Sequence, residues 1–308
     1  MRSRKSHLPM GISLIPIVIY LLLPSFTGAA ERVTFRHLQS LYQDDRGKGL
    51  REPEGLFCRD RNLLIVADTG NDRLVEYRLQ DGSFRSQQER KTSELARPIG
   101  VQLHSKGDLY ALDGRKRRIV RLGPEGEFRG YLEPEGIPSP SLFVPRSFRL
   151  DAQDRFFILD HFSRRVLILS PEGKYQRQLL CPQGGGFFSD LAVSAQGTIF
   201  LLDSLKGTIY FAPKGEKEFA LFAGPLKEHL SFAVGLTTDP RGILYVVDKH
   251  GGGVVLIAQD GTFLGRQLSL GWNEGLLYYP TQICINENGE AFIADQGNHR
   301  VQRFKLTP

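Results

Sequence analysis

The chain contains VADTGNDRLVEY at residues 66–77 and a second copy of the same pattern, IADQGNHRVQRF, at residues 293–304. In both copies an apolar run ends in Asp, Gly and Asn follow at equal offsets, and an Arg stands five residues after the Asp. The residues that follow the Arg alternate in the manner of a β-strand. The duplication indicates either two halves of one site or two copies of a structural repeat.

Four further apolar runs that end in Asp lie between these two copies. The six terminal Asp residues are separated by 45, 47, 43, 45 and 47 positions, and they are Asp68, Asp113, Asp160, Asp203, Asp248 and Asp295. Each run follows a strand-like segment and a turn rich in Asp, Asn and Gly, and two more strand-like segments come after it. Six units of four strands predict an all-β fold, a six-bladed β-propeller with four-stranded antiparallel blades.

The sixth unit has only three strand-like segments before the chain ends at Pro308. A three-stranded blade would expose an unpaired edge. The segment ERVTFRHLQSLY at residues 31–42 has the pattern of a spare strand. We therefore predict that it completes the last blade as its outer strand, and that residues 31–308 form a single domain.

Residues 1–30 have the order of a secretory signal peptide: a basic start, an apolar stretch and a run of small residues. An uncleaved N-terminal anchor is the alternative, and it would supply the only membrane contact we expect. A signal peptide predicts export to the periplasm or the extracellular space. Setting aside Arg2, Arg4 and Lys5 lowers the formal net charge from +6 to +3, which is not the charge of a dedicated nucleic-acid-binding protein.

The three cysteines, Cys58, Cys181 and Cys284, are an odd number, so they cannot all pair within one chain. Cys58 and Cys284 lie in apolar segments, GLFC and QICI, which favours buried, unpaired thiols. None has the spacing of a metal ligand, and we expect no metal and no other cofactor.

The repeated unit resembles the NHL repeat, and Asn298, His299 and Arg300 spell that name in the sixth unit. The resemblance covers nearly all of residues 31–308. It implies a propeller in which each Asp holds the turn that follows it, and the Arg five residues later returns to that carboxylate. We assign this structural role to Asp68, Arg73, Asp113, Arg118, Asp160, Arg165, Asp203, Asp248, Asp295 and Arg300. Thr208 and Gly253 stand where units four and five should carry the Arg.

Function is expected on the loops between second and third strands and on the loops that lead into the first strands. Basic residues dominate them, as in GRKRR at residues 114–118 and HFSRR at 161–165, and aromatic residues accompany them in GWNEGLLYYP at 271–280. The candidate binding residues are Arg115, Lys116, Arg117, His161, Arg164, Arg146, Lys249, His250, Trp272 and Tyr278. They favour a monomeric, non-catalytic interaction platform in an exported or envelope assembly, with a protein partner that presents an acidic surface.

Two alternatives stay open. Propellers similar to this one include metal-dependent hydrolases and lyases of the gluconolactonase and peptide-amidating-lyase types, which would make the protein an enzyme. Against this, only Glu54 and Asp190 place carboxylates at the starts of the first strands, and no nucleophile motif or catalytic residue is identified. The second alternative is binding of a polyanion or a nucleic acid on the basic loops. A secretory signal argues against nucleic acid, and we expect none.

Overall fold

A computed structural model of the protein describes residues 33–58 and 61–307. The compact unit that contains them spans Arg32–Pro308. The predicted signal peptide lies outside the described residues, so the prediction of export stays a prediction. None of the helices within residues 33–58 and 61–307 is long and apolar enough to span a membrane.

The described residues form six antiparallel sheets of four strands, which are the six blades of a propeller. Blades 1 to 3 consist of β2 (Leu56–Phe57), β3 (Leu63–Asp68), β4 (Arg73–Gln80) and β5 (Ser83–Arg90); β6 (Pro98–Leu103), β7 (Leu109–Asp113), β8 (Arg118–Leu122) and β9 (Phe128–Tyr131); and β10 (Pro145–Leu150), β11 (Phe156–Asp160), β12 (Arg165–Leu169) and β13 (Tyr175–Leu180). The predicted fold class is confirmed, including the number of blades.

Blades 4 and 5 follow the same order, and blade 6 recruits the first strand of the chain. They consist of β14 (Phe188–Val193), β15 (Ile199–Asp203), β16 (Thr208–Ala212) and β17 (Ala220–Ala223); β18 (Ala233–Thr238), β19 (Leu244–Asp248), β20 (Gly253–Ile257) and β21 (Phe263–Gln267); and β22 (Pro280–Ile285), β23 (Glu290–Asp295), β24 (Arg300–Thr307) and β1 (Thr34–Leu41). Short 3-10 turns occupy Thr69–Asn71, Pro140–Leu142 and Gln296–Asn298.

The hydrophobic core is divided among the gaps between neighbouring blades. Every residue of the second strands β3, β7, β11, β15, β19 and β23 is buried. Because both faces of a blade pack on neighbouring blades, these strands are apolar on consecutive residues instead of alternating. The core clusters among the described residues each join two adjacent blades and together follow the ring.

The N-terminal strand closes the ring as the sequence predicts. Strand β1 pairs antiparallel with β24, from Thr34 opposite Thr307 to Leu41 opposite Val301. The ring of Phe35 packs edge-on against Phe304 at 5.8 Å and reaches Tyr245 of blade 5 at 6.2 Å. The strand therefore covers the edge of β24 and adds to the core between blades 5 and 6.

A disulfide joins the first and last blades, and the prediction of unpaired thiols is wrong for Cys58 and Cys284. Their Cα atoms are 6.0 Å apart and the sulfur atoms are bonded. Cys58 follows β2 and Cys284 lies in β22, so both belong to innermost strands that the ring brings side by side. Cys181 is free and buried, and burial raises the pKa of its thiol to about 12.

Candidate functional site: the basic mouth of the channel

One face of the propeller, here called the top face, carries the loops that follow the second strands and the lead-in loops that precede the first strands. The loops after the second strands span residues 69–72, 114–117, 161–164, 204–207, 249–252 and 296–299. Each begins directly after one of the six repeated Asp residues. The top face is therefore where the repeat and the candidate binding residues meet.

In blades 1, 3 and 6 the repeated Asp forms a buried ion pair with the Arg five residues later. The Arg Nε lies 2.6, 2.9 and 2.7 Å from Oδ2 of Asp68, Asp160 and Asp295. The same carboxylates accept backbone amides of the lead-in loop, from Arg51, Val144 and Tyr278. Each Asp thus fixes three segments at once: the end of the second strand, the start of the third and the lead-in loop.

In the other three blades, the carboxylate of the repeated Asp accepts hydrogen bonds from other donors. In blade 5, Arg266 of the fourth strand donates to Asp248 Oδ2 at 2.8 Å and replaces the missing Arg at Gly253. In blade 4, Asp203 accepts three backbone amides, from Gly186, Phe187 and Lys206.

Blade 2 departs from the pattern although it has the Arg. The Arg118 guanidinium lies over the ring of Tyr131, 3.7 Å from its centre, and its buried Nε has no hydrogen-bond partner among the described residues. Asp113 is held instead by the amides of Ala96, Arg115 and Lys116.

The last residue of each loop after a second strand has a left-handed backbone. The φ angles lie between 47° and 62° at Asp72, Arg117, Arg164, Gly207, Gly252 and His299. Three of these side chains contact the lead-in loop of the following blade: Asp72 Oδ1 accepts the Arg97 amide, His299 Nδ1 accepts the Glu52 amide, and Arg164 donates to the Gly185 carbonyl. Arg117 makes no such bond with any described residue.

The channel below this face is crossed by an ion pair. Asp190 accepts two hydrogen bonds from Arg149, at 2.9 and 3.0 Å, and one from the amide of Leu236 in blade 5. The Ser147 hydroxyl donates to the same carboxylate. Both oxygens of Asp190 are therefore occupied by groups of blades 3 and 5.

At the mouth of the channel, a hydrogen-bonded chain links blades 1, 6 and 5. Gln296 donates to Glu54 Oε1 at 2.9 Å and accepts from Lys249 Nζ at 2.9 Å. Burial raises the pKa of Glu54, although the positive charges of Lys249, Arg97 and Arg146 oppose the shift. Burial lowers the pKa of Lys249, while the charge of Glu54 opposes this. The mouth thus holds one carboxylate among three cations.

Arg146, the first residue inside blade 3 after Pro145, differs from the other arginines of the mouth. Its buried Nε has no hydrogen-bond partner in residues 33–58 and 61–307, and its guanidinium contacts the Phe187 ring at 5.6 Å from the centre. It borders two cavities, one of about 110 Å³ in the channel and one of about 230 Å³ above blades 2 and 3. Burial and the charges of Arg146, Arg117 and Arg164 lower the pKa of His161.

The structure divides the predicted binding residues into three groups. Arg117, Arg146 and His161 border the cavity of about 230 Å³, and Lys249 faces the channel beside Arg146. Trp272, Tyr278 and His250 belong to a second group on blades 5 and 6, where their rings contact one another or Tyr279. The residues Arg115, Lys116 and Arg164 are exposed on the rim.

Sequence reasoning missed the apolar part of this face. Phe187 lies between Arg146 and His161, and the exposed fractions of Phe162 and Leu205 are 62% and 65%. Phe188 is buried, whereas Tyr279 is 39% exposed. In the sequence, the position of Phe162 inside HFSRR, between His161 and Arg164, is the signal that an apolar side chain lies on this face.

These features define the class as a six-bladed β-propeller with buried Asp–Arg hairpins. Residues 277–304, in blade 6 and the loop before it, match the NHL repeat, which confirms the resemblance stated from the sequence. The protein is thus a six-bladed propeller that contains an NHL repeat. No curated protein matches the sequence significantly.

Several solved structures share the fold. A gluconolactonase from Xanthomonas campestris is 15% identical, with 89% of this chain and 95% of that chain covered and a TM-score of 0.66. Virginiamycin B lyase from Staphylococcus aureus is 15% identical, with 89% and 100% covered and a TM-score of 0.59. Regucalcin from Agrobacterium tumefaciens, a calcium-binding protein, is 12% identical, with 88% and 94% covered and a TM-score of 0.63. At these identities the likeness shows the fold alone.

The residues of this channel do not fit a divalent cation such as calcium. Calcium takes six to eight oxygen ligands in proteins. Here both oxygens of Asp190 are bonded to Arg149, and Glu54 lies among Lys249, Arg97 and Arg146. Within residues 33–58 and 61–307, no group of three or more His, Cys, Asp and Glu side chains is placed to hold a metal.

Proposed function

We propose that the protein is a non-catalytic interaction platform whose top face binds an acidic surface of a partner protein. The observation that carries this proposal is the pair of arginines, Arg117 and Arg146, which border one cavity and whose side chains form no ion pair or hydrogen bond with any described residue. The charge of Glu54 acts on Arg146 without such a contact and is shared with Lys249 and Arg97. Unpaired guanidinium groups at the edge of a cavity attract carboxylates, with which arginine forms bidentate pairs.

The surroundings of these arginines have the composition of a protein interface. Exposed apolar and aromatic side chains, among them Phe162, Leu205 and Trp272, lie on the same face as the basic residues. Protein interfaces are enriched in aromatic residues and arginine, and charge complementarity there speeds association and selects partners. The predicted signal peptide supports a place for this platform in an exported or envelope assembly.

Reversing the charge of basic residues on the top face, with a control on the opposite face, tests the proposal of an interaction platform. We expect a variant with Arg115, Lys116 and Arg164 changed to Glu to lose partners that the wild type captures from an envelope extract. The matched control changes Lys106, Lys214 and Lys217, which lie in turns of the opposite face, to Glu. If both variants retain the same partners as the wild type, the platform proposal fails.

An enzyme is the second candidate, because the fold is similar to a gluconolactonase and a lyase. The channel offers a buried carboxyl group with a raised pKa, Glu54, as a proton donor or acceptor. Purified protein should be analysed for metals and assayed for lactone hydrolysis. A stoichiometric divalent metal together with hydrolysis that a chelator abolishes would replace the platform with the enzyme.

A further inference from the structure

We propose that the cavity above blades 2 and 3 binds the C-terminal carboxylate and the last apolar side chain of a partner chain, with Arg146 pairing with the carboxylate. The inference deepens the proposed function and rests on it, because it names the part of the partner that is recognised.

The cavity has one charged side and one apolar side. Arg117 and Arg146 supply the positive charges and His161 a polar ring, while Ile99, Val144, Pro145 and Phe187 supply apolar walls. Its volume of about 230 Å³ is below that of pockets for drug-sized ligands, and it suits a single side chain. A ligand for this cavity therefore carries an anionic group next to a small apolar group.

Both arginines are available to such a ligand. None of the described residues forms a hydrogen bond with the side chain of Arg146, and its buried Nε has no partner. The Arg117 side chain is exposed and equally unpaired within the described ranges. The carboxylate that borders the cavity, Asp113, is fully buried and accepts the amides of Ala96, Arg115 and Lys116. These amides occupy its oxygens, so Asp113 does not neutralise the arginines by contact.

Arg117, which borders the cavity, lacks a hydrogen bond that three equivalent side chains make. At the equivalent position, Asp72, Arg164 and His299 bond to the lead-in loop of the following blade. Arg117 has the same left-handed backbone, with φ at 54°, but its side chain forms no hydrogen bond with any described residue of the lead-in loop of blade 3. Gly207 and Gly252 adopt this backbone without strain at the same position of blades 4 and 5. A large cation in a disfavoured conformation, without an internal contact, is consistent with a contact made to a ligand.

The chemistry favours a chain end over an internal acidic side chain. At a C-terminus, the carboxylate and the side chain branch from one carbon atom, so a carboxylate paired with Arg146 places the side chain against the apolar walls. An internal Asp or Glu would bring its own backbone amides to these walls, where burial without a partner is costly. Capture of C-terminal carboxylates is a recurrent mode of peptide recognition.

Fluorescence anisotropy with short labelled peptides tests the proposal on the folded propeller, Arg32–Pro308. The probe is a peptide with the sequence Gly-Ser-Gly-Ser-Leu, labelled at its N-terminus and ending in a free carboxylate. We expect it to bind the wild type, and we expect its C-terminally amidated form to bind at least about tenfold more weakly. A peptide that ends in Ser instead of Leu should also bind more weakly, because it leaves the apolar walls uncovered.

Substitutions then locate the site. Arg146→Gln should weaken the free-acid peptide about tenfold or more, and Arg146→Lys should weaken it too, because lysine cannot form a bidentate pair. Arg85→Gln is the matched control, since Arg85 is an exposed arginine of the outer strand β5. It should bind as the wild type does. Circular dichroism and thermal melts of each variant separate lost binding from lost folding.

The outcomes separate this site from the platform as a whole. Equal binding of the amidated and free peptides, or wild-type binding by a folded Arg146→Gln variant, overturns the carboxylate site. Competition by free 4-methylpentanoate as effective as that by the peptide overturns the assignment to a chain end. If the triple reversal of Arg115, Lys116 and Arg164 loses its partners while no peptide binds, the platform stands and the carboxylate site falls.

Discussion

The gap between blades 6 and 1 and the gap between blades 2 and 3 occupy equivalent places in the ring, yet they are held differently. The first is closed by β1, by the Cys58–Cys284 disulfide and by the bond from the Glu52 amide to His299. The second is bonded on the face opposite the loops, where Ser105 donates to Asp154, but on the top face Arg117 leaves it open. Two neighbouring blades can therefore be hydrogen-bonded on one face of the propeller and leave a cavity between them on the other face.

The ion pairs of the four blades beside these gaps differ as well. Arg73 and Arg300, on either side of the closed gap, are fully buried and bonded to Asp68 and Asp295. Of the two blades beside the open gap, blade 3 keeps its buried pair of Arg165 with Asp160, whereas Arg118 of blade 2 contacts Tyr131 instead of its Asp. We infer that the closed gap contributes most to stability, whereas the open gap contributes most to binding. The four predictions below test this division.

Deleting residues 34–41 should have the largest effect. The deletion removes all of β1, uncovers the edge of β24 and exposes Phe304. The free energy of unfolding of a domain is about 5–15 kcal/mol, and loss of the whole strand that closes the ring should remove most of this free energy. We expect no cooperative thermal transition by calorimetry. The control Arg36→Ala alters an exposed residue of the same strand and should melt like the wild type; a wild-type melting temperature for the deletion would contradict the closing role of β1.

Replacing two arginines compares the buried ion pair of blade 1 with the arginine of blade 2 that does not pair with its Asp. Arg73→Leu leaves Asp68 and Asp44 buried without their cation and should cost roughly 3–5 kcal/mol. Arg118→Leu breaks no ion pair with Asp113, whose backbone partners remain, and should cost about 1 kcal/mol or less. Urea unfolding measures both free energies. Equal losses would show that the buried pair gives blade 1 no special stability.

Removing the disulfide should have a smaller effect than breaking the buried pair. The bond connects residues 226 positions apart, so it restricts the unfolded chain strongly. Changing Cys58 and Cys284 to Ser should cost about 2–4 kcal/mol of unfolding free energy. Reductant should lower the melting temperature of the wild type and leave the double variant unchanged. If reductant does not change the melting temperature of the wild type, closure of the ring does not depend on the disulfide.

Arg117→Gly should have the smallest effect on stability. Glycine relieves the left-handed backbone but makes the unfolded chain more flexible, and the two contributions largely cancel to within about 1 kcal/mol. Binding of the free-acid peptide should fall nevertheless. Asp72→Gly is the matched variant of blade 1, and it should lose about 1 kcal/mol with the bond to the Arg97 amide. If Arg117→Gly destabilises as much as Asp72→Gly, Arg117 has a structural role that its contacts do not reveal.

The fold could be predicted from the sequence because the same pattern of strands recurs in six units. Apolar runs that end in Asp gave the second strands, and the unit with only three strands indicated that residues 31–42 must supply the fourth. The structure confirms both, with β1 at Thr34–Leu41. The pairing of Cys58 with Cys284 was missed because each cysteine was judged by its apolar neighbours. Both cysteines lie near the ends of the first and last innermost strands, which the ring brings side by side, and this proximity contained the answer.

The candidate site was only partly predictable. Arg146, Arg117 and His161 were identified from their loops, but nothing in the sequence showed that they meet at one cavity with Phe187 as a wall. That arrangement depends on which side chains are already occupied by partners. Arg164 and Arg117 look alike in the sequence, and only the structure shows that Arg164 is bonded to the next blade.

Arg266 shows that the Asp–Arg ion pair of a blade does not require a fixed spacing in the sequence. It lies 18 residues after Asp248, in the fourth strand, and still brings a guanidinium to the carboxylate that Gly253 cannot serve. A search for an Arg at a fixed distance from the Asp would reject blade 5, although its hairpin has the same ion pair as blade 1. Repeats of this kind are better recognised by asking whether a cation can reach the carboxylate in space. By that criterion, a designer could move the arginine between strands and free the third-strand position for another purpose.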